Sequence, residues 1–253
     1  MPEAASYSSR FQDPAAAAGY EFQEYGTGSY STRVWEWQRP VLEQIIRDYQ
    51  RQHPAPARLL DFACGTGRVT AAVESLVGTA EGIDISESMV ALARAKCRRA
   101  TFQVGNILSQ PGLLPAKYDL ITAFRFLLNV EPSVRRAVLT KLRAVLREPD
   151  GWLVVNVHGN SRSLRHPAIL WRRRRERSHP TGDMLNEMSP PEAKGLLAEC
   201  GFRVVRQFGF GMLPPTLYRT PLRAVAALVD RSLAGENLWC NGSVDMMFVC
   251  QAR

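Results

Sequence analysis

Cysteine is scarce in this chain, and what there is does not pair. Cys64, Cys97, Cys200, Cys240 and Cys250 make an odd, scattered set with no C-x-x-C among them. Neither a disulfide framework nor a zinc site is indicated, so the reading is no metal and a reducing, cytoplasmic setting. Long apolar runs are also missing. None approaches the roughly 18 residues of a membrane helix. The opening stretch MPEAASYSSRFQDPAAAAGY has no basic segment followed by an apolar one, so it is not read as a secretion leader. The NGS at Asn241 is read as a turn. No internal repeat is visible. A phosphate-binding Gly-Lys-Ser/Thr loop is absent, which excludes a P-loop.

The residues that are present are those of an ordinary soluble globular protein, 45% hydrophobic and 22% charged. The formal net charge is +8. Much of that excess lies in SRSLRHPAILWRRRRERSH, where Arg162, Arg165, Arg172, Arg173, Arg174, Arg175 and Arg177 face a single acid, Glu176. Such a run is a solvated face, a seat for an anionic acceptor, a membrane-surface contact or a nucleic-acid contact.

Residues 1–33, polar and rich in Ser, Tyr and Gly, read as a flexible arm. Residues 34–52 show helical spacing through Val34, Trp37, Val41, Ile45 and Tyr49, with Pro40 as a potential kink. From Arg58 onward, strand and helix patterns alternate five times. ARLLDFA, GTAEGIDIS, TFQVGNIL, YDLITAFRFLLNV and GWLVVNVHG are the strands. This predicts an α/β fold, a doubly wound sheet with helices on both faces. Residues 160–188 break the rhythm as an insertion. A helix follows, with Ser189 as its N-cap, Pro190 in its first turn and Gly201 as its stop. Two more strands, FRVVRQFGFGM and SVDMMFVCQA, are expected to pair antiparallel.

The turn after the first strand is the informative one: LLDFACGTGRVT, Leu59 to Thr70. Glycines between a first strand and first helix bring backbone N–H groups close to a ligand. The third glycine of a dinucleotide fingerprint falls at Thr70, so NAD is disfavoured. Asp61, just before the turn, would repel a pyrophosphate and suit a cation. Asp84 ends the second strand, where an acid accepts from ribose hydroxyls. A ligand with a ribose, a positive amino-acid end and no phosphate is S-adenosylmethionine.

LLDFACGTGRVT, EGIDISESMV, VGNIL, YDLITAFRFLLN and LREPDGWLVVNVHG resemble, in order and spacing, the motifs of class I S-adenosylmethionine-dependent methyltransferases. The resemblance runs from about Arg58 to Gly159 and implies a Rossmann-like, seven-stranded, mostly parallel sheet with an antiparallel last strand. Residues 34–253 would be that domain, with helical acceptor-lid insertions at 160–188 and 213–242. It also implies that Asp61, Ala63, Gly65 and Gly67 cradle the methionine portion. Asp84 would hold the ribose, Ile85 and Met89 would pack near the adenine, and Asn106 and Ile107 would edge it. Ala123 and Phe124 would face the sulfonium. Ala63 stands where the family usually has its first glycine, and Asn106 where many members have Asp. Met89 reads equally as core, and Asp119 reads as structural.

On the acceptor side, His158 is the candidate general base, with Arg125 and Asn129 facing the same region. Tyr25, Tyr30, Arg33 and Trp37 would form an N-terminal lid over the cofactor. The expected acceptor is a small molecule with a negative group and an apolar part, served by a monomer or homodimer without a membrane span. The alternative is a nucleic-acid or protein methyltransferase using the Arg162–Arg177 segment. Only Trp171 and the arginines speak for nucleic acid. The fourth motif also reads FRFL, where amino-group nucleic-acid enzymes carry Asn/Asp-Pro-Pro-aromatic.

Overall fold

In a computed structural model, residues 29–114, 116–167 and 187–253 are described. The Arg172–Arg177 run, Trp171 and Tyr25 lie outside these residues.

The first helix, α1 (Tyr30–Gln52), starts before the point its periodicity marked. Ser29 caps it by accepting from Thr32 N at 3.0 Å, a hydrogen bond to an otherwise orphaned first-turn amide. Tyr30 and Arg33 therefore belong to a helix, not to an arm. The helix continues through Pro40, and Val34, Leu42, Ile45, Ile46 and Tyr49 bury its apolar stripe.

The elements that follow are β1 (Arg58–Phe62), α2 (Arg68–Val73), β2 (Thr79–Asp84), α3 (Glu87–Lys96), β3 (Thr101–Val104) and β4 (Leu120–Ala123). Then come α4 (Pro132–Val145), β5 (Trp152–Val157), α5 (Pro190–Glu199), β6 (Phe202–Phe210), α6 (Arg223–Leu233) and β7 (Asp245–Ala252). The seven strands form one sheet in the order β3-β2-β1-β4-β5-β7-β6. The first five are parallel, and β7 runs antiparallel to both β5 and β6.

Strands buried on both faces need continuous apolar runs, and β4, β5 and β7 have them. One core packs α4 and α5 through Leu139, Leu142, Leu197 and Phe202. The other packs α1 and α2 through Leu42, Ile46, Val69 and Val73. Chain order reverses between β1 and β4, so their carboxyl ends diverge and leave a crevice. No helix among the described residues is long and apolar enough to cross a membrane.

The fourth strand is shorter than its sequence suggested. β4 stops at Ala123, and the chain turns through Arg125, at φ +54°, into a short 3₁₀ turn at Leu127–Asn129. The apolar run FRFLL becomes a wall rather than a strand.

Candidate active site

The carboxyl ends of β1, β2 and β4 meet at a cleft of about 770 Å³, its open mouth included. This falls in the usual range for small-molecule sites. Ala63 and Gly65 form its floor. Asp84, Ile85, Ser86 and Met89 form one side, and Phe124, Arg125, Phe126 and Asn129 the other. Phe62 meets Phe126 edge-on at 5.0 Å.

The floor is built from unusual backbone. Ala63 (φ +54°), Gly65 (φ +53°) and Gly67 (φ +74°) all lie in the left-handed region, which costs a residue with a Cβ about 1–2 kcal/mol. A Cβ on Gly65 would meet nothing within 4 Å; it would project into open space, so glycine keeps that space clear. A Cβ on Gly67 would come within 2.9 Å of Ala93 Cβ. That glycine serves the packing of α2 on α3 and does not line the cleft, contrary to its expected place in the cradle.

Asp84 ties the two motifs together. Gly65 N donates to Asp84 Oδ2 at 2.8 Å, and Ser86 N donates to Oδ1 at 3.0 Å. Burial raises its pKa, and these backbone N–H groups oppose the rise. Ile85 N–H also acts on this carboxylate; with about four lone-pair sites, Asp84 keeps capacity for a further donor from the cleft.

Asp61 is placed differently from expectation. It is buried and does not line the cleft. Its Oδ2 accepts from Thr70 N at 3.1 Å and Thr70 Oγ1 at 2.5 Å, and its Oδ1 from Thr122 Oγ1 at 2.8 Å. It clamps the glycine turn to β4 and to the start of α2. Burial pushes its carboxyl up to about 6.

Several other expected contacts stand away from the cleft. Asn106 spends its Oδ1 on Leu108 N at 2.9 Å, closing its own turn. Ile107 and Ala123 are buried in the core. Tyr30 accepts from Arg165 at 2.5 Å, with that guanidinium 4.6 Å from its ring centre, and Arg33 lies 4.9 Å from the ring centre of Tyr218. These two α1 residues join the segments after β5 and β6 instead of covering the cleft. Asp119, read as structural, accepts from Arg58 N at 2.7 Å and pairs with Arg147 at 2.6 Å.

The α1 residues that do approach the cleft were not singled out as lining it. Trp35 meets Phe124 edge-on at 6.2 Å, and Ser31 Oγ is 3.5 Å from Arg125 Nη1. Ser86, Phe62, Ile83, Phe126 and Val130 also line the cleft unannounced. The FRFLL run, read as strand, was the signal that could have shown Phe126.

Arg125 is fixed from two sides. Its N donates to Asn156 Oδ1 at 3.3 Å, and its carbonyl accepts from Asn129 Nδ2. Asn156 in turn donates to the buried Asp245, which also accepts from Gln38 Nε2 at 2.8 Å. Burial pushes Asp245 up to about 6, and Asn156 and Arg125 restrain it. His158 is half-buried and does not line the cleft. Its Nδ1 is buried without a hydrogen-bond partner among the described residues. Burial, with the Arg125 charge adding to it, holds the imidazole well below its usual pKa. It is therefore neutral at neutral pH, and any proton it accepts is taken against that field.

A glycine-turn cleft at a sheet's switch point has many potential uses. Residues 34–207 match the family model described as a methyltransferase domain. The chain belongs to that family. A Geobacillus sp. (strain WCH70) protein is 30% identical over 128 residues, 48% of this chain and 49% of that one. The malonyl-[acyl-carrier protein] O-methyltransferase of Methylococcus capsulatus is 27% identical over 176 residues, covering 59% of this chain and 60% of that one. The chain thus spans about half the length of these curated relatives.

Among solved structures, the magnesium protoporphyrin IX methyltransferase of Synechocystis PCC 6803, with bound SAH, aligns over 98% of this chain and 100% of its own. The TM-score is 0.64 at 13% identity, a likeness of fold. In this methyltransferase domain the match begins inside α1 and ends within β6, so it takes in every strand that borders the cleft.

Proposed function

We propose that this methyltransferase domain binds S-adenosylmethionine in the β1–β2–β4 cleft. From there it passes the methyl group to an oxygen or nitrogen of a small-molecule acceptor. The observation that carries this is the Asp84–Gly65 pair. A carboxylate with acceptor capacity to spare stands beside Gly65, where the missing Cβ leaves open space. That acceptor capacity suits a ribose hydroxyl. Ile85 and Met89 offer an apolar wall for an adenine ring. The residues present therefore fit the group.

Once bound, the cofactor supplies a sulfonium-activated methyl. What remains for the chain is alignment and exclusion of water. Phe62, Phe124 and Phe126 make the wall beside that group apolar. Arg125, fixed through Asn156, offers a cation to an anionic acceptor. Burial is the larger cause of the neutral His158, and an anion seated there would offset only the part that the Arg125 charge adds. For His158 to take the proton of a hydroxyl or amine acceptor, that acceptor must reach past the cleft lining toward the end of β5. The names of the Methylococcus and Synechocystis proteins support an acceptor outside nucleic acid.

The test is transfer of labelled methyl to a panel of carboxylic acids, phenols and amines. Anionic members should be preferred, and Arg125→Gln should raise their KM about tenfold while leaving neutral acceptors near wild type. Label appearing only in RNA or protein would contradict the reading.

A further inference from the structure

Helix α6 is attached inside out. Its buried positions are Ala226 and Asp230. The Asp230 carboxylate accepts from Met212 N at 2.8 Å, Leu213 N at 3.0 Å and the Tyr218 hydroxyl at 2.5 Å. A charged side chain thus pins the helix, and the apolar ones turn outward. Val225 is 59% exposed, Leu228 66% and Val229 37%, with Leu222 at the N-cap 59% exposed. At helical spacing these four residues form one continuous stripe. Contiguous exposed apolar surface of this kind marks an interaction site.

We propose that this stripe rests on an anionic lipid bilayer. Charge selects that occupant. Asp230 is the only acid on α6, and it is spent inward, while Arg219, Arg223 and Arg231 are exposed around the same helix. An apolar stripe with arginines on the remaining surface is the pattern of helices that lie in the membrane interface. Anionic headgroups attract each such arginine by about 1 kcal/mol, roughly fivefold in partitioning. A second copy of the chain is a poorer match, because it carries the same +8 charge. The surface would bring the domain to a membrane where partly apolar acceptors dissolve. The proposal stands apart from the cofactor reading.

The test is flotation of the purified 253-residue chain with phosphatidylcholine vesicles and with vesicles half phosphatidylglycerol, without cofactor. Wild type should bind the anionic vesicles at least tenfold better. Val225→Glu/Leu228→Glu, at exposed positions that leave the fold and its melting intact, should lower that binding about tenfold. Arg223→Gln/Arg231→Gln should weaken it about fivefold per arginine and leave neutral vesicles unaffected. Absence of wild-type flotation would overturn the proposal. So would undiminished flotation of the glutamate variant, which would transfer the role to another basic surface. A dimer that the glutamate variant splits, with no vesicle binding, would make the stripe a self-interface and overturn it as well.

Discussion

At the scale of single residues, Ala63 and Asp245 each lead to a prediction. Ala63 holds a left-handed backbone that glycine adopts freely. Ala63→Gly should therefore raise stability by up to about 1 kcal/mol, once glycine's greater unfolded-state entropy is subtracted. Urea denaturation reads this, and a loss greater than about 1 kcal/mol would mean that the Ala63 methyl packs usefully. Asp245 makes a second prediction. Its carboxyl is raised by burial to about 6 from 3.8, so between about pH 4 and 6 the folded protein holds a proton that the unfolded chain has released. Stability from this group is greatest below that window and falls as pH rises through it. Asp245→Asn does not titrate, so the fall should shrink by roughly 2–3 kcal/mol across the window. An unchanged pH profile would show that Asp245 is as easily charged when folded as when unfolded.

Residue roles were only half legible in the sequence. Gly65, Ala63, Asp84, Ile85, Met89, Phe124 and Arg125 reach the cleft as their motif positions implied. Gly67 does not, because its reason for being glycine is Ala93 on the next helix, a contact that no local pattern records. Asn106 does not, because its side chain closes its own turn. Asp61 has the residue type of a ligand and the partners of a clamp. A motif shows that a residue type is needed; its neighbours show for what.

At the scale of elements, local chemistry was more informative. The Ser189 cap was readable from SPPEAKG, and it forms a full capping box. Ser189 Oγ accepts from Glu192 N, and Glu192 Oε2 accepts from Ser189 N at 2.6 Å. Ser189→Ala should cost about 1 kcal/mol, measured by thermal or urea unfolding. No change would mean that α5 is held by packing alone. Gly201, at φ +82°, ends that helix as its sequence position indicated. The misplaced boundaries have physical causes. α1 starts at Tyr30 because Ser29 supplies a cap that the hydrophobic spacing does not reveal. β4 stops at Ala123 because Arg125 turns left-handed, although the apolar run continues past it.

For the whole molecule, five alternations of strand and helix sufficed to give a doubly wound sheet. The β6–β7 pair is antiparallel as expected, although the connection between the two strands is long and carries α6. The order β3-β2-β1-β4-β5-β7-β6 puts the switch point between β1 and β4 and so locates the cleft. Acceptor identity was less legible, since it depends on surfaces assembled from segments far apart in the chain. The central claim is that this cleft holds an adenosyl cofactor through Asp84. Calorimetric titration of wild type and Asp84→Ala with S-adenosylmethionine, S-adenosylhomocysteine and NAD tests it most directly. The account predicts saturable binding of both adenosyl ligands but not NAD, weakened at least tenfold by Asp84→Ala in a protein that still melts cooperatively. Failure of folded wild type to bind either adenosyl ligand, or equal binding by Asp84→Ala, would contradict it.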